Sequence, residues 1–135
     1  MTALTQPRNT GSRLGDKVVD PVAAATTLYA GGIVCLDASG NAIAGKTATA
    51  LKARGVASAS VDNSAGAAGA EQVEILKGVF RFDNDATDTI DRTHIEGTAY
   101  IVDDQTVAAN DGTSTRSAAG KIIDVDDSGV WVEFK

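Results

Sequence analysis

From Lys17 onward the chain alternates short apolar stretches with tight polar turns, and the repeat is too short for helices. KVVDPV (17–22) is a brief extended stretch whose Pro21 suits a sheet edge, where a missing N–H costs nothing. TLYAGGIVCLDASGNAIAG (27–45) predicts a strand, a Gly-Gly turn, a second strand, a turn at 39–41 and a third short strand. RGVASASVD (54–62) alternates around Val56, and EQVEILKGVFRF (71–82) predicts strands over 72–76 and 79–82, split at Lys77 and Gly78. TAYIVDDQTVAA (98–109) predicts a hairpin turning at 103–105. The clearest hairpin is AGKIIDVDDSGVWVEF (119–134), in which Val125 and Val130 flank DDSG and Gly129 supplies the backbone freedom of the turn. DRTHIEG (91–97) predicts one helical turn, capped by Asp91 and ended by Gly97. Two longer loops remain, at 62–71 and 109–120.

Turn signals recur about every 8–12 residues, the spacing of an all-β sandwich or barrel. The expected fold is therefore all-β: a small β-barrel or β-sandwich of short antiparallel strands with one short helical turn. Residues 17–135 form a single β-rich domain in this reading. Residues 1–16 are polar, contain Pro7 and Gly11, and lack any apolar period, which predicts an extended arm. Ordering such a segment costs about 1–2 kcal/mol per residue of backbone, with little apolar burial to offset it.

Composition strengthens the β reading and thins the core. Val and Ile number 21 against 6 Leu, with 14 Thr, and β-branched side chains suit pleated surfaces better than helices. Ala supplies 23 of the apolar positions, so the core is built from small groups and has room for help from a partner. The single Cys35 has no internal disulfide partner and sits in an apolar run, which predicts a buried inert thiol. The first residues lack the apolar segment of a secretory signal, and no apolar run approaches the roughly 20 residues of a membrane span. A soluble protein made in a cytoplasm is expected, with no membrane partner.

The net charge of −6 is unevenly distributed. Residues 1–15 carry Arg8 and Arg13 and no acid, whereas residues 83–127 hold eleven acids against three bases, a net −8. An acidic body repels phosphate, so nucleic acid is not an expected partner.

The motifs that suggest chemistry have plainer readings. GNAIAGKT (40–47) matches the phosphate-loop pattern G-x-x-x-x-G-K-[ST]. That loop works at the N-terminus of a helix in a parallel framework with a second acidic metal ligand, and the downstream sequence predicts antiparallel β instead. The competing reading makes Gly40 and Asn41 a hairpin turn and Gly45 the end of its second strand. DNDATD (83–88) and DVDDSG (124–129) resemble the start of calcium loops, but the first has Asp88 where glycine is required and the second has Lys135 where the bidentate Glu belongs. Both read better as turns in which Asp and Asn bond their own backbone. His94, the single histidine, reads as a surface or capping residue rather than a general base, and Trp131 as a core or interface anchor on the last strand. No catalytic residue, cofactor or metal ligand is expected.

Several segments together resemble a known family. QPRNT near the start, YAGGIV at 29–34, VDNSAGAAGA at 61–70, GVFRF at 78–82, AYIVDDQTV at 99–107, TRSAAG at 115–120 and GVWV at 129–132 carry the likeness over nearly the whole chain. By these the chain resembles the small capsid cement, or head-decoration, proteins of tailed bacteriophages and prophages. The resemblance implies a non-enzymatic structural virion protein on the capsid outer surface, present in the host cytoplasm during assembly. It implies homotrimers at three-fold and quasi-three-fold positions and the major capsid protein as partner. The arm residues Thr2, Leu4, Gln6, Pro7, Arg8, Asn9, Thr10 and Arg13 are then expected to clamp the capsid, and Tyr29, Phe80, Phe82, Tyr100 and Trp131 to lie between subunits. A tail or baseplate β-module, a phosphate-loop nucleotide binder and a host carbohydrate binder are the alternatives.

Overall fold

The computed structural model describes residues 3, 5–8 and 15–135. Over these residues the strands are β1 (Lys17–Pro21), β2 (Thr26–Leu28), β3 (Ile33–Leu36), β4 (Ala42–Ala44), β5 (Lys52–Ala57) and β6 (Val61–Asn63). They continue with β7 (Gln72–Leu76), β8 (Gly78–Asn84), β9 (Thr98–Ile101), β10 (Thr106–Ala108), β11 (Ala118–Asp126) and β12 (Gly129–Phe134). A single 3₁₀ turn, Arg92–His94, stands between β8 and β9. The architecture is all-β, and it contains a layered sheet as well as a barrel.

The barrel closes in the order β10-β8-β12-β11-β9, while β1-β7-β5-β3-β4 form an open sheet and β2-β6 a two-stranded ribbon. Closure removes the unpaired edges that short strands would otherwise expose. The pairings are antiparallel except for β8 with β10, whose parallel contact seals the barrel. In β12 the alternation decides which side chains fill it: Val130, Val132 and Phe134 are buried, while Trp131 and Glu133 face outward.

Within the open sheet β3 is buried on both faces, which is why it reads as the continuous apolar run IVCL, whereas β1 and β7 alternate exposed and buried positions. Ile33, Cys35 and Val56 share a core with Phe82, Ile101, Ile122 and Val132 of the barrel. Val34, Ala57, Val73 and Ile75 face the other way, packed with Leu28, Val22 and Ala42 beneath the β2-β6 ribbon. Successive residues of one strand thus serve two cores, and barrel, sheet and ribbon stack as three layers.

Two polar devices fix these layers. Arg54 on β5 reaches over β7 to the buried Asp20 of β1, with Nε to Oδ2 at 2.7 Å and Nη2 to Oδ1 at 3.1 Å. The buried Asn63 donates from Nδ2 to the carbonyls of Ala23 and Ala67, each at 3.0 Å, which ties the 62–71 loop to the chain beside β1. The β11-β12 turn falls where the sequence predicts it, with Val125 paired to Val130. Gly129 there holds φ +148°, and a Cβ would sit 2.3 Å from the Phe82 carbonyl oxygen.

The predicted helical turn is shorter than expected. It ends at the Ile95 cap rather than at Gly97, because it is a 3₁₀ turn. Asp91 does cap it, and the His94 ring completes the capping box by accepting from the Asp91 amide at 2.9 Å.

Candidate functional site

The phosphate-loop match dissolves into hairpin geometry. Gly40 and Asn41 lie in the β3-β4 turn, where the Asp37 carboxylate accepts from the amides of Ser39 at 2.9 Å and Asn41 at 3.0 Å. Lys46 lies in an isolated antiparallel bridge to Asp103, and Thr47 donates its hydroxyl to the Val102 carbonyl at 2.8 Å. No helix follows, so the helix N-terminus that a phosphate loop requires is missing here.

In the calcium-like runs the carboxylates of Asp85, Asp88, Asp124 and Asp126 are engaged internally. Asp88 accepts from Arg116 Nη1, the Asn110 amide and Asn110 Nδ2, each at 2.9 Å, joining the 85–91 segment to the 109–120 loop. Desolvation works against its ionised form, but these donors outweigh it and hold the carboxyl below its ordinary value. Asp126 accepts from Trp131 Nε1 at 3.0 Å and from the Ser128 amide at 2.8 Å, and these bonds likewise lower its titration. Among the described residues no group of three or more His, Cys, Asp or Glu converges on a common point. Cys35 has no exposed surface, and burial pushes its thiol up to about 12.

Of the arm residues named from sequence, Gln6, Pro7 and Arg8 are exposed and belong to no strand. Thr2, Leu4, Asn9, Thr10 and Arg13 lie outside the described residues. The arm leads into β1, an edge strand of the open sheet. Lys77 donates to the Asp16 carbonyl and Val22 donates to the Glu71 carbonyl, each at 2.9 Å. That phase turns the backbone groups of Val18 and Asp20 toward β7 and those of Lys17, Val19 and Pro21 away from it. The missing N–H of Pro21 therefore falls on the open edge.

The expected subunit-contact aromatics separate into different environments. Phe82 is corrected to the core: it is 5% exposed inside the barrel and stands edge-on to Phe134 at 5.9 Å. Phe80 is half-buried, 6.4 Å from the same Phe134 ring. Trp131, expected as a core or interface anchor, lies on the outer barrel wall rather than in the core, with the Arg81 guanidinium 5.7 Å from its ring centroid. Tyr100 is half-buried and borders an open groove of about 670 Å³ beside His94, Glu96 and Asp111. The ionisable groups there are partly spent, since Glu96 pairs with Lys121 and His94 serves the cap.

Tyr29 is different. It is 65% exposed, the most open of the large apolar side chains among the described residues, and it borders a notch of about 330 Å³ with Ala30, Gly31, Gly32, Asp104 and Gln105. Both walls are fixed. The Gly31 amide donates to the Ala57 carbonyl at 2.9 Å, the Ala30 amide to Ser60 Oγ at 3.0 Å, and the Ile33 amide to the Asp104 carbonyl at 2.8 Å. The walls approach closely because residue 32 is glycine: a Cβ there would lie 3.3 Å from Asp104 Oδ2 and 3.2 Å from the Tyr29 carbonyl oxygen.

No protein-family model, curated protein or solved structure matches the chain.

Proposed function

We propose that this chain is a capsid cement protein, which binds the outer surface of a phage head and stabilises it against the pressure of packaged DNA. One observation carries the reading: a basic arm whose described residues are exposed and outside any strand, joined to an acidic body whose turn carboxylates are largely occupied by its own backbone and side chains. In this reading such a body acts as a plug, and the exposed arm supplies the capsid contacts.

In this reading residues 2–16 clamp the major capsid protein, with Arg8 and Arg13 meeting carboxylates or carbonyl oxygens there. Arm contacts must exceed the ordering cost of about 1–2 kcal/mol per residue. An extended arm does so by adding main-chain hydrogen bonds to an exposed sheet edge. Self-association into trimers lets three arms engage neighbouring capsid subunits together, so that dissociation requires all three to release. Tyr29, Phe80, Tyr100 and Trp131 keep surface available for such contacts, whereas Phe82 does not. The protein performs no covalent chemistry in this scheme.

Electron microscopy of particles with and without the chain tests the proposal. Added density at the three-fold and quasi-three-fold positions of filled heads is the expected result. Density on tails or baseplates, or none on the particle, overturns it.

A further inference from the structure

The notch at Tyr29 contains polar groups that the fold does not use. Elsewhere the turn carboxylates of Asp37, Asp62, Asp85, Asp91 and Asp126 accept from neighbouring amides. Asp103, beside the notch, does the same by accepting from the Gln105 amide at 2.9 Å. Among the described residues, the Asp104 carboxylate, the Gln105 carboxamide and the Tyr29 hydroxyl have no hydrogen bond or ion pair, yet all three residues border one concavity. Asp104 is half-buried there, partly desolvated and without a counter-charge.

We infer that this notch binds an arginine side chain presented by a partner polypeptide. The inference goes beyond the capsid reading and holds for any protein partner. Three features select the ligand. The single charge in the lining is the Asp104 carboxylate, so a cation is favoured over an anion, and the −8 of residues 83–127 adds to the attraction. An exposed tyrosine ring offers a face on which a planar guanidinium stacks, the geometry that favours Arg over Lys. The carboxylate accepts two parallel guanidinium N–H bonds, and the Gln105 carbonyl oxygen is available for a third. A neutral sugar would leave the carboxylate without its counter-charge. The Gly32 approach and the bonded walls mean that the site needs no rearrangement before binding.

The test is an NMR titration of the full chain with N-acetyl-arginine amide, alongside the lysine and citrulline equivalents and methyl glycosides. The expected result is amide shifts confined to residues 29–33 and 103–105 with arginine, weaker ones with lysine, and none with citrulline, which keeps the shape but not the charge. Tyr29→Ala and Asp104→Asn are each expected to weaken arginine binding roughly two- to fivefold, the scale of a partly exposed cation–π or ion-pair contact. Unchanged spectra elsewhere verify that both variants fold. An equal response to citrulline, a stronger response to a glycoside, no shifts at saturating arginine, or wild-type binding by both variants overturns the inference.

Discussion

Cys35 sits on β3 with no exposed surface, and burial alone raises its thiol from 9.0 to about 12. The folded chain therefore keeps its proton through the range in which the unfolded thiol ionises. Because the native state binds the extra proton, stability is lost as pH rises from about 9 towards about 12. A thiol reagent at pH 8 is expected to leave the native protein unmodified and to label it stoichiometrically in denaturant; rapid native labelling contradicts this burial. The Asp20–Arg54 pair is the other residue-scale determinant. Arg54→Leu leaves the buried Asp20 without its counter-charge and is expected to cost about 3 kcal/mol in chemical denaturation. Adding Asp20→Leu to that variant should recover part of the loss; a double variant as unstable as the sum of the singles contradicts the assignment. Both residues stand out in the sequence as apolar-run or strand positions, but nothing there reveals that Arg54 and Asp20 meet across an intervening strand.

At the scale of elements, hairpins were legible and distant pairings were not. DDSG and DDQ turn the chain locally, and the registers Val125 with Val130 and Val107 with Ile101 follow from those turns. The β1-β7 and β2-β6 pairings and the parallel β8-β10 contact join segments that no turn chemistry links. Their register rests on which faces can be buried together. The same limit hid the notch. Tyr29 stands out as one of few aromatics, but Asp104 and Gln105 lie on a distant hairpin turn that the Ile33–Asp104 hydrogen bond helps to hold beside it. Phe82 departs from its expected place between subunits for a related reason: alternation tells which residues share a face, and only the closed barrel tells which face is inside. Gly129→Ala tests the hairpin directly, since the added methyl meets the Phe82 carbonyl. It is expected to destabilise by about 3 kcal/mol, lowering the thermal midpoint by roughly 10 °C. A change within a degree or two would show that the turn relaxes freely.

On the scale of the whole molecule, the division of labour is between a body held by two cores and an arm whose described residues are exposed. The division was visible in the sequence as a shift from polar, basic and aperiodic to acidic and alternating. The stacking of barrel, sheet and ribbon was not, because three layers and one sandwich share the same turn spacing. The central claim is that attachment to the head depends on the arm, which the body and its Tyr29 notch do not replace. Its most direct test is co-sedimentation of a variant lacking residues 2–14 with heads stripped of the native chain. The account predicts a variant with an unchanged thermal midpoint that fails to sediment with the heads. Occupancy equal to that of the full chain would contradict it.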